Sequence, residues 1–401
     1  MFWYHKIWMV IAVVILTGWA TTQRADSTEP AKPAPLCQNE LAVIDVNFPT
    51  ARANKCHIIS SKRLTIIIDP ENKPINDSPW YAFKVTPNKK GTLRINLKYS
   101  HSKHRYPPKI SYDGVNWKAL SPAKINKKSD NEIQMRIRLK DRPVYISAQE
   151  IFSVGAHNSW VAKMGKRPFV VKSSIGASIE GRPLYMLEAR ANTDVKKPYI
   201  VLVGRQHPPE VTGALALIPF AETVLGDNEL ARNFRTLYDV IIIPNMNPDG
   251  VTHGNWRHNM NGVDLNRDWG PFKQPETKAV EKEFERFKSG EDKIELFLDF
   301  HSTRRNLLYT QTEEEPTSPV FFTRDWLKAV DGRLDDKVYK YTREQSPNSG
   351  KPVSKNYMYS TYGIPAITYE VGDNTNRKSI AIAAEVFAEE MMRTLLSQES
   401  K

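Results

Sequence analysis

Apolar segments that alternate with helical segments constrain the fold of this chain from about residue 150 onward. The apolar segments are short and contain few polar residues, as strands that are buried on both faces do. They are PLYMLEAR, PYIVLVG, YDVIIIP, IELFLDF and AITYEV, and helical patterns lie at 211–225, 275–288, 321–330 and 380–396. This order predicts an α/β fold in which a mixed, largely parallel sheet is flanked by helices.

The region between residues 37 and 150 has the pattern of β-structure alone. Short runs of alternating or β-branched residues are separated by turn-forming clusters such as PENKPINDSP and SYDGVNW. The runs are LTIIID, WYAFKV, LRINLKY, IQMRIRL and PVYISA. We therefore predict a small antiparallel β-sandwich domain at 37–150, followed by the α/β domain at 151–401.

The first 20 residues have the pattern of a secretory signal peptide. Lys6 gives the positively charged start, residues 7–16 form the apolar stretch, and small residues near Ala20 form the cleavage site. The apolar stretch is shorter than the roughly 18 residues that a membrane span needs. We expect cleavage, a polar linker at 21–36 and a secreted or periplasmic protein. An uncleaved membrane anchor is the alternative, and only in that case do we expect a membrane partner.

The cysteines and the net charge of the sequence bear on the cellular compartment of the protein and on its binding partners. Cys37 and Cys56 are the two cysteines of the chain, and in an oxidising compartment we expect them to form a structural disulfide. The formal net charge is +12, with many of the cations between Lys84 and Arg142. This charge favours acidic partners, although a solvated basic surface is the more common explanation. We expect no nucleic-acid partner, because the sequence contains no nucleic-acid-binding motif.

Polar clusters follow the apolar strands at the points where these strands end. The clusters are GRQHPPE, NMNPDG, HST and EVGDN. Because sites in α/β sheets gather at the carboxyl ends of the strands, we expect the side chains of these clusters to converge.

Three residues of these clusters are candidate zinc ligands. A catalytic zinc site takes three protein ligands and leaves one position for water. His207 and Glu210 lie on one short loop, and His301 follows a buried strand. Taken singly, each histidine could equally be a hydrogen-bonded loop residue.

The polar loop at 254–270 contains Asp264, Asn266 and Arg267. A guanidinium group can bind a carboxylate through two parallel hydrogen bonds, so Asn266 and Arg267 could hold an anionic ligand. The alternative is a surface loop whose asparagines and glycines form turns.

In combination, these motifs resemble the zinc carboxypeptidase family over about residues 180–395. The residues that carry the resemblance are His207-Pro-Pro-Glu210, NMNPDG, Trp256-Arg257, GVDLNR, Asp299-Phe-His301 and Thr368-Tyr-Glu-Val371. The β-rich region with SPWYAFKV is similar to the amino-terminal domain of the cytosolic carboxypeptidase branch. The signal peptide departs from a cytosolic location, so we expect an exported bacterial form.

The resemblance implies a role for each residue of the metal site. His207, Glu210 and His301 would bind one zinc ion per chain. Asp264 would hold His207 in the tautomer that binds the metal. Alternatively, the side chain of Asp264 would accept a hydrogen bond from a nearby backbone N–H and stabilise a turn.

The resemblance also implies the catalytic and substrate-binding residues. Glu370 would be the general base for attack by the zinc-bound water. Arg257 would stabilise the oxyanion that develops on the substrate. Asn266 and Arg267 would bind the terminal carboxylate, which makes the enzyme an exopeptidase.

The sequence departs from the family pattern at two places. Residues 346–350, where many members have a tyrosine, contain none, and Tyr341 and Tyr357 do not align with that position. Two prolines occupy the positions between His207 and Glu210, where the digestive carboxypeptidases of the family have an arginine. Neither departure affects the proposed zinc ligands, but both leave the substrate subsites open.

We therefore predict a zinc-dependent metallocarboxypeptidase that removes C-terminal residues from peptides. Its substrate would be a peptide with a free C-terminal carboxylate, and an ordinary tail, an acidic tail and a cell-wall stem peptide are the alternatives. A zinc-dependent amide deacylase and a peptidoglycan stem-peptide carboxypeptidase are alternative enzymes. A non-catalytic peptide- or cell-wall-binding protein with the same fold is the alternative of another class, and the complete set of site residues argues against it.

Overall fold

Two packed sheets form the amino-terminal part of the protein. The structure is a computed structural model that describes residues 34–73, 75–190, 196–290 and 292–399, together with Met1. The strands of this part are β1 (Cys37–Gln38), β2 (Ala42–Asp45), β3 (Lys55–Ser60), β4 (Arg63–Ile68), β5 (Ala82–Pro87), β6 (Gly91–Tyr99), β7 (Lys109–Ser111), β8 (Lys118–Ala119), β9 (Ile125–Ser129), β10 (Glu132–Leu139) and β11 (Val144–Ser147).

Period-two alternation of apolar residues builds this sandwich. One sheet has the order β1-β2-β5-β11-β7-β8, and the other has the order β3-β4-β6-β10-β9. Leu93 and Ile95 of β6 are buried against Phe83 and Val85 of β5, whereas Arg94 between them is exposed. The sandwich and its position before the α/β part agree with the prediction.

One strand pair differs from the predicted antiparallel arrangement. Strands β4 and β6 are parallel, with Leu64 opposite Ile95. Their direction is the same because the chain crosses to the other sheet as β5 before it returns as β6.

The second part of the chain alternates between strands and helices. Its elements are α1 (Val154–Met164), β12 (Val170–Ala177), β13 (Pro183–Ala189), β14 (Tyr199–Gly204), α2 (Val211–Val224), α3 (Glu229–Leu237), β15 (Asp239–Ile243), α4 (Pro248–His253), α5 (Pro275–Lys288), β16 (Ile294–Thr303), β17 (Leu307–Thr310), α6 (Phe322–Asp331), β18 (Thr342–Gln345), α7 (Ser354–Tyr362), β19 (Ala366–Gly372) and α8 (Arg377–Glu399). The strands form a mixed sheet in the order β12-β13-β15-β14-β16-β19-β17-β18.

The centre of this sheet is parallel and buried on both faces. Strands β15, β14, β16 and β19 run in parallel, so their carboxyl ends lie at one edge. Ile200 and Leu202 pack against residues of α2 and α8, whereas Val201 and Val203 pack on the opposite face with residues of α5. The α/β architecture therefore agrees with the prediction, and it places the polar strand ends together.

Helix α2 is anchored against the end of β16. Gly213 lies so close to β16 that a Cβ atom there would be 2.6 Å from the carbonyl oxygen of His301. The backbone N–H of Gly213 donates to Ser302 Oγ at 2.8 Å, and Thr212 Oγ1 also donates to this hydroxyl. These contacts hold the residues that precede α2 beside His301.

The sandwich packs against the α/β part around the start of α2. Val211 is part of the apolar core of the sandwich. Arg105 of the sandwich forms an ion pair of 2.8 Å with Asp373, which follows β19. Cys37 and Cys56 form a disulfide between β1 and β3.

Two predicted segments fall largely outside the described residues, namely the signal peptide at 1–20 and the linker at 21–36. Among the helices that the structure does describe, none has the length and apolar character needed to cross a membrane.

Candidate active site

Three of the predicted site residues converge at the carboxyl edge of the parallel strands. His207, Glu210 and His301 each offer one ligand atom, and these atoms lie within 4.8 Å of one another. His207 Nδ1 is 2.8 Å from Glu210 Oε1, and His301 Nδ1 is 2.7 Å from Glu210 Oε2. The two imidazoles therefore face one carboxylate, as they would around a shared cation.

A second carboxylate lies behind each imidazole. His207 Nε2 is 2.9 Å from Asp264 Oδ1, and His301 Nε2 is 2.9 Å from Asp299 Oδ2. When His207 Nε2 donates to Asp264, the Nδ1 atom has the lone pair that a metal requires. The negative charge of Asp299 beside His301 Nε2 favours the same tautomer of His301. Sequence reasoning assigned this role to Asp264 but missed Asp299, although a carboxylate inside the apolar segment LFLDF was a visible signal.

The electrostatics of the cluster suit a divalent cation. Burial alone would lower the pKa of His207 and of His301, but the surrounding carboxylates outweigh it and raise both pKa values. Burial alone would raise the pKa of Glu210 and of Asp264, but the adjacent histidines outweigh it and keep both carboxyl pKa values below their usual range. The donor set of two imidazoles and one carboxylate is one that catalytic zinc sites use, so the residues fit this metal.

Glu370 lies beside the cluster on the neighbouring strand. In the parallel pairing of β16 with β19, Glu370 is directly opposite His301. Its Oε2 atom is buried and has no hydrogen-bond partner among the described residues. Burial, reinforced by the charge of Glu210, raises the pKa of Glu370 to about 7. A carboxylate with a free oxygen and such a pKa is suited to accept and return a proton near neutral pH.

Arg257, Asn266 and Arg267 line the same cleft as the three candidate ligands, and the cleft has a volume of about 450 Å³. The Arg257 Nε atom donates to Asp264 Oδ2 at 2.7 Å, so Asp264 holds both Arg257 and His207. Asn266 Oδ1 accepts from the backbone N–H of Ser354 at 2.9 Å. The structure therefore brings together every candidate residue of the metal, catalytic and substrate-binding sets.

Several cleft residues were missed by the sequence reasoning. Arg105 and Tyr106 reach the cleft from the sandwich, and Tyr309, Lys351 and Lys355 reach it from the α/β part. Arg105 and Tyr106 lie far from the zinc motifs in sequence, so no local pattern marked them.

Tyr341 and Tyr357, which the sequence analysis left without a role, do not line the cleft among the described residues. The Tyr341 hydroxyl donates to Asp331 at 2.7 Å, and Tyr357 packs edge-on against Phe272 with ring centroids 4.9 Å apart. Both tyrosines are therefore engaged in packing elsewhere.

Comparison with known proteins identifies the family. Residues 157–392, which are more than half of the chain, match the zinc carboxypeptidase family. The chain belongs to this family. Among curated relatives, cytosolic carboxypeptidase 6 of Mus musculus is 26% identical over 216 residues, which cover 44% of this chain and 40% of the relative. An uncharacterized protein of Zymomonas mobilis is 28% identical over 200 residues, which cover 47% of this chain and 50% of that protein. The chain thus spans half or less of the length of these two relatives.

Solved structures share the fold of this family member over most of its length. A metallo-carboxypeptidase from Burkholderia cenocepacia superposes with a TM-score of 0.73 at 17% identity, and the match covers 90% of this chain and 99% of that chain. A metallo-carboxypeptidase from Pseudomonas aeruginosa, solved in complex with (2-guanidinoethylmercapto)succinic acid, gives a TM-score of 0.72 at 20% identity and covers 88% of this chain and 99% of that chain. The shared fold therefore extends beyond the family match into the sandwich.

Proposed function

We propose that this protein is a zinc-dependent metallocarboxypeptidase that hydrolyses the last peptide bond of its substrates. The observation that carries the proposal is the convergence of His207, Glu210 and His301, with a carboxylate behind each imidazole and Glu370 alongside. His207, Glu210 and His301 would hold one zinc ion. When bound, the zinc acts as a Lewis acid that polarises the scissile carbonyl and makes water more acidic.

Glu370 is the proton carrier in this proposal. Its free Oε2 atom takes a proton from the attacking water and returns it to the leaving amine. The position opposite His301 keeps the carboxylate beside the reacting atoms, and none of the described residues forms a competing hydrogen bond with Oε2.

Arg257 stabilises the negative charge that develops on the carbonyl oxygen. Its guanidinium is already oriented by the hydrogen bond from Nε to Asp264, so little reorganisation is needed during the reaction. The loss of one such donor typically costs about 3 kcal/mol of the activation barrier.

Asn266 and Arg267 bind the C-terminal carboxylate of the substrate. Both line the cleft that contains the metal ligands. Because Arg267 can form two parallel hydrogen bonds with a carboxylate, this pair restricts cleavage to the last residue.

The charge of the cleft favours an acidic C-terminal residue. Five cationic side chains line it, namely Arg105, Arg257, Arg267, Lys351 and Lys355, against the carboxylates of Glu210 and Glu370. Arg257 and Arg267 are committed to the oxyanion and the terminal carboxylate in this proposal. Arg105 already forms an ion pair with Asp373. Lys351 and Lys355 then remain to bind a side-chain carboxylate, which makes acidic peptides the preferred substrates over peptides with neutral C-terminal residues and cell-wall stem peptides.

We place the enzyme outside the cytoplasm, as a secreted or periplasmic protein. The support is the apolar segment at 7–16 together with the disulfide between Cys37 and Cys56, because disulfides persist in oxidising compartments.

Matched peptides with a free and an amidated C terminus test the proposed reaction. We expect purified protein to contain zinc and to release single C-terminal residues from the free peptides only, with mass spectrometry as the measurement. Cleavage of both peptides at internal bonds would contradict the exopeptidase assignment. Absence of zinc in active protein would contradict the metal assignment, and cleavage of muropeptides alone would favour the stem-peptide alternative.

A further inference from the structure

A buried carboxylate of the sandwich contacts the active-site loop of the α/β part. Glu71 lies in the segment between β4 and β5, and only 2% of its side chain is exposed. Its Oε1 atom accepts from the backbone N–H groups of Arg257 at 2.9 Å and of His258 at 3.2 Å. Its Oε2 atom accepts from the backbone N–H of Trp256 at 3.1 Å. One carboxylate therefore satisfies three consecutive backbone donors of the segment that carries Arg257.

The sandwich holds the Glu71 carboxylate itself in place. Asn76 Nδ2 donates to Oε1 at 2.7 Å, and Ser78 Oγ donates to Oε2 at 2.5 Å. Burial alone would raise the pKa of Glu71, but these side chains and the backbone donors outweigh it and lower the pKa. Glu71 is thus a buried anion with five donors, and charge-assisted hydrogen bonds of this kind are stronger than neutral ones.

The contact continues from Glu71 to the metal ligands. The backbone of Arg257 is bound to Glu71, while its Nε atom is bound to Asp264. Asp264 in turn accepts from His207. Residue 257 is therefore fixed at both ends, by the sandwich at its backbone and by the active-site carboxylate at its side chain.

We propose that Glu71 is a positioning residue for catalysis, which acts through Arg257. Glu71 fixes the backbone of residues 256–258, so that the Arg257 guanidinium is presented to the cleft in the orientation that stabilises the oxyanion. This inference rests on the role proposed above for Arg257. It gives the sandwich a role in catalysis, because the sandwich supplies the carboxylate that accepts the backbone hydrogen bonds of this loop.

The physical reason is that hydrogen-bond donors stabilise a transition state only when they are already oriented. A displacement of about 1 Å can lower a rate by about 100-fold. Without the Glu71 carboxylate, the backbone donors of residues 256–258 lose their acceptor and turn toward water. The Arg257 guanidinium would then populate several orientations.

A double-mutant cycle of Glu71→Gln with Arg257→Ala tests the proposal. Glutamine has the same shape but no charge, and its amide nitrogen cannot accept the hydrogen bonds that one carboxylate oxygen accepts. We expect Glu71→Gln to lower kcat by about 10- to 100-fold with a change in KM of less than about 3-fold. In the Arg257→Ala background, where no guanidinium remains to be positioned, Glu71→Gln should have no further effect on kcat.

Asp45→Asn is the matched control within the sandwich. Asp45 is a half-buried carboxylate that pairs with Lys84 at 2.8 Å and receives the backbone N–H of Asn47. Its replacement should alter the stability of the sandwich without changing kcat. Should Glu71→Gln fail to fold, Asn76→Ala removes one donor to Glu71 and should give a smaller loss of kcat of the same kind.

Amide hydrogen exchange supplies a measurement that is independent of activity. Glu71→Gln should accelerate exchange in peptides that cover residues 255–258, whereas Asp45→Asn should not. Unchanged exchange, or a loss of kcat that persists in full in the Arg257→Ala background, would overturn the positioning role. An inactive wild-type protein would instead contradict the proposed function, and unaltered zinc content in Glu71→Gln separates this inference from the metal assignment.

Discussion

Glu370 and His301 are directly opposite each other on the adjacent parallel strands β19 and β16. Parallel pairing places their side chains on the same face of the sheet, at the edge where His207 and Glu210 arrive from the loop after β14. The candidate base and a candidate metal ligand are therefore positioned by the backbone ladder of the sheet. Because the sheet backbone sets this position, the Glu370 side chain can be replaced without disturbing the fold of the protein.

Replacement of Glu370 by glutamine should abolish most of the activity without loss of stability. General-base catalysis contributes about 10²- to 10⁴-fold, so kcat should fall within this range. Burial raises the pKa of Glu370 to about 7, which means that its charge is not stabilised by the fold. We therefore expect an unchanged or slightly higher Tm and unchanged zinc content in the variant. Full activity of Glu370→Gln would contradict its role as the base.

Gly213→Ala should disturb the metal site through the backbone. The new Cβ atom would be 2.6 Å from the carbonyl oxygen of His301, so α2 and β16 must separate. Overpacking of this kind costs about 1–3 kcal/mol of the free energy of unfolding, and displacement of His301 should weaken zinc binding. Urea denaturation and titration with a zinc chelator measure the two effects.

Gly155→Ala is the matched control for that variant. Gly155 lies in α1, and the nearest atom to an added Cβ is Ser153 Oγ at 3.6 Å. Because alanine favours the helix over glycine, stability should rise by about 0.5–1 kcal/mol with zinc binding unchanged. Equal effects of the two substitutions would show that the close approach of Gly213 to β16 is unimportant.

The arrangement of the strands and most of the site could be predicted because both depend on local patterns. Buried strands such as IELFLDF are continuous apolar runs, and the order of motifs from His207 to Glu370 follows the family. The structure extends this strand to Thr303, so that His301 lies within β16 and not after it. The pairing of the sheet adds the last residues to the strand, which no local pattern reveals.

The contribution of the sandwich to the site could not be predicted from the sequence. Glu71 and Arg105 precede the zinc motifs by more than 100 residues in sequence and reach the site only through the docking of the sandwich beside α2. Helices α1, α3 and α7 were also missed. Contacts between separate parts of a chain depend on tertiary packing, and periodicity carries no signal for them.

The metal-free protein should be most stable in mildly acidic solution. The raised pKa values of His207 and His301 mean that stability from these groups is full below their usual pKa of 6.5 and is lost as the pH rises. The lowered pKa of Glu210 acts in the opposite direction, because its contribution is full above the usual value of 4.5 and is lost as the pH falls. Both contributions are present between these two values.

Zinc should reverse this dependence on pH above that range. Metal binding requires neutral imidazoles, so the stabilisation by zinc should increase as the pH rises from about 5 to about 8. Denaturation of chelator-treated and zinc-loaded protein over this range measures both trends. A metal-free protein whose stability rises steadily up to pH 8 would contradict the raised histidine pKa values.

The preference for acidic C-terminal residues should depend on Lys355. This lysine lies in α7, is 5% exposed, and donates to the carbonyl oxygen of Ser346 at 2.7 Å where both residues line the cleft. Lys355→Met keeps much of the length of the side chain but removes its charge. We expect kcat/KM for peptides that end in glutamate to fall by about 10-fold or more, because a partly desolvated charge pair is lost.

The same variant should change kcat/KM little for peptides that end in a neutral residue, since the zinc site and the carboxylate clamp are intact. Lys328→Met, which removes an exposed lysine of α6 outside the cleft, is the control for the loss of one positive charge. An equal loss for acidic and neutral peptides in Lys355→Met would indicate a packing role for this lysine. If neither kcat/KM value changes, the preference depends on Lys351 or Arg105 instead, and each can be tested with the same pair of peptides.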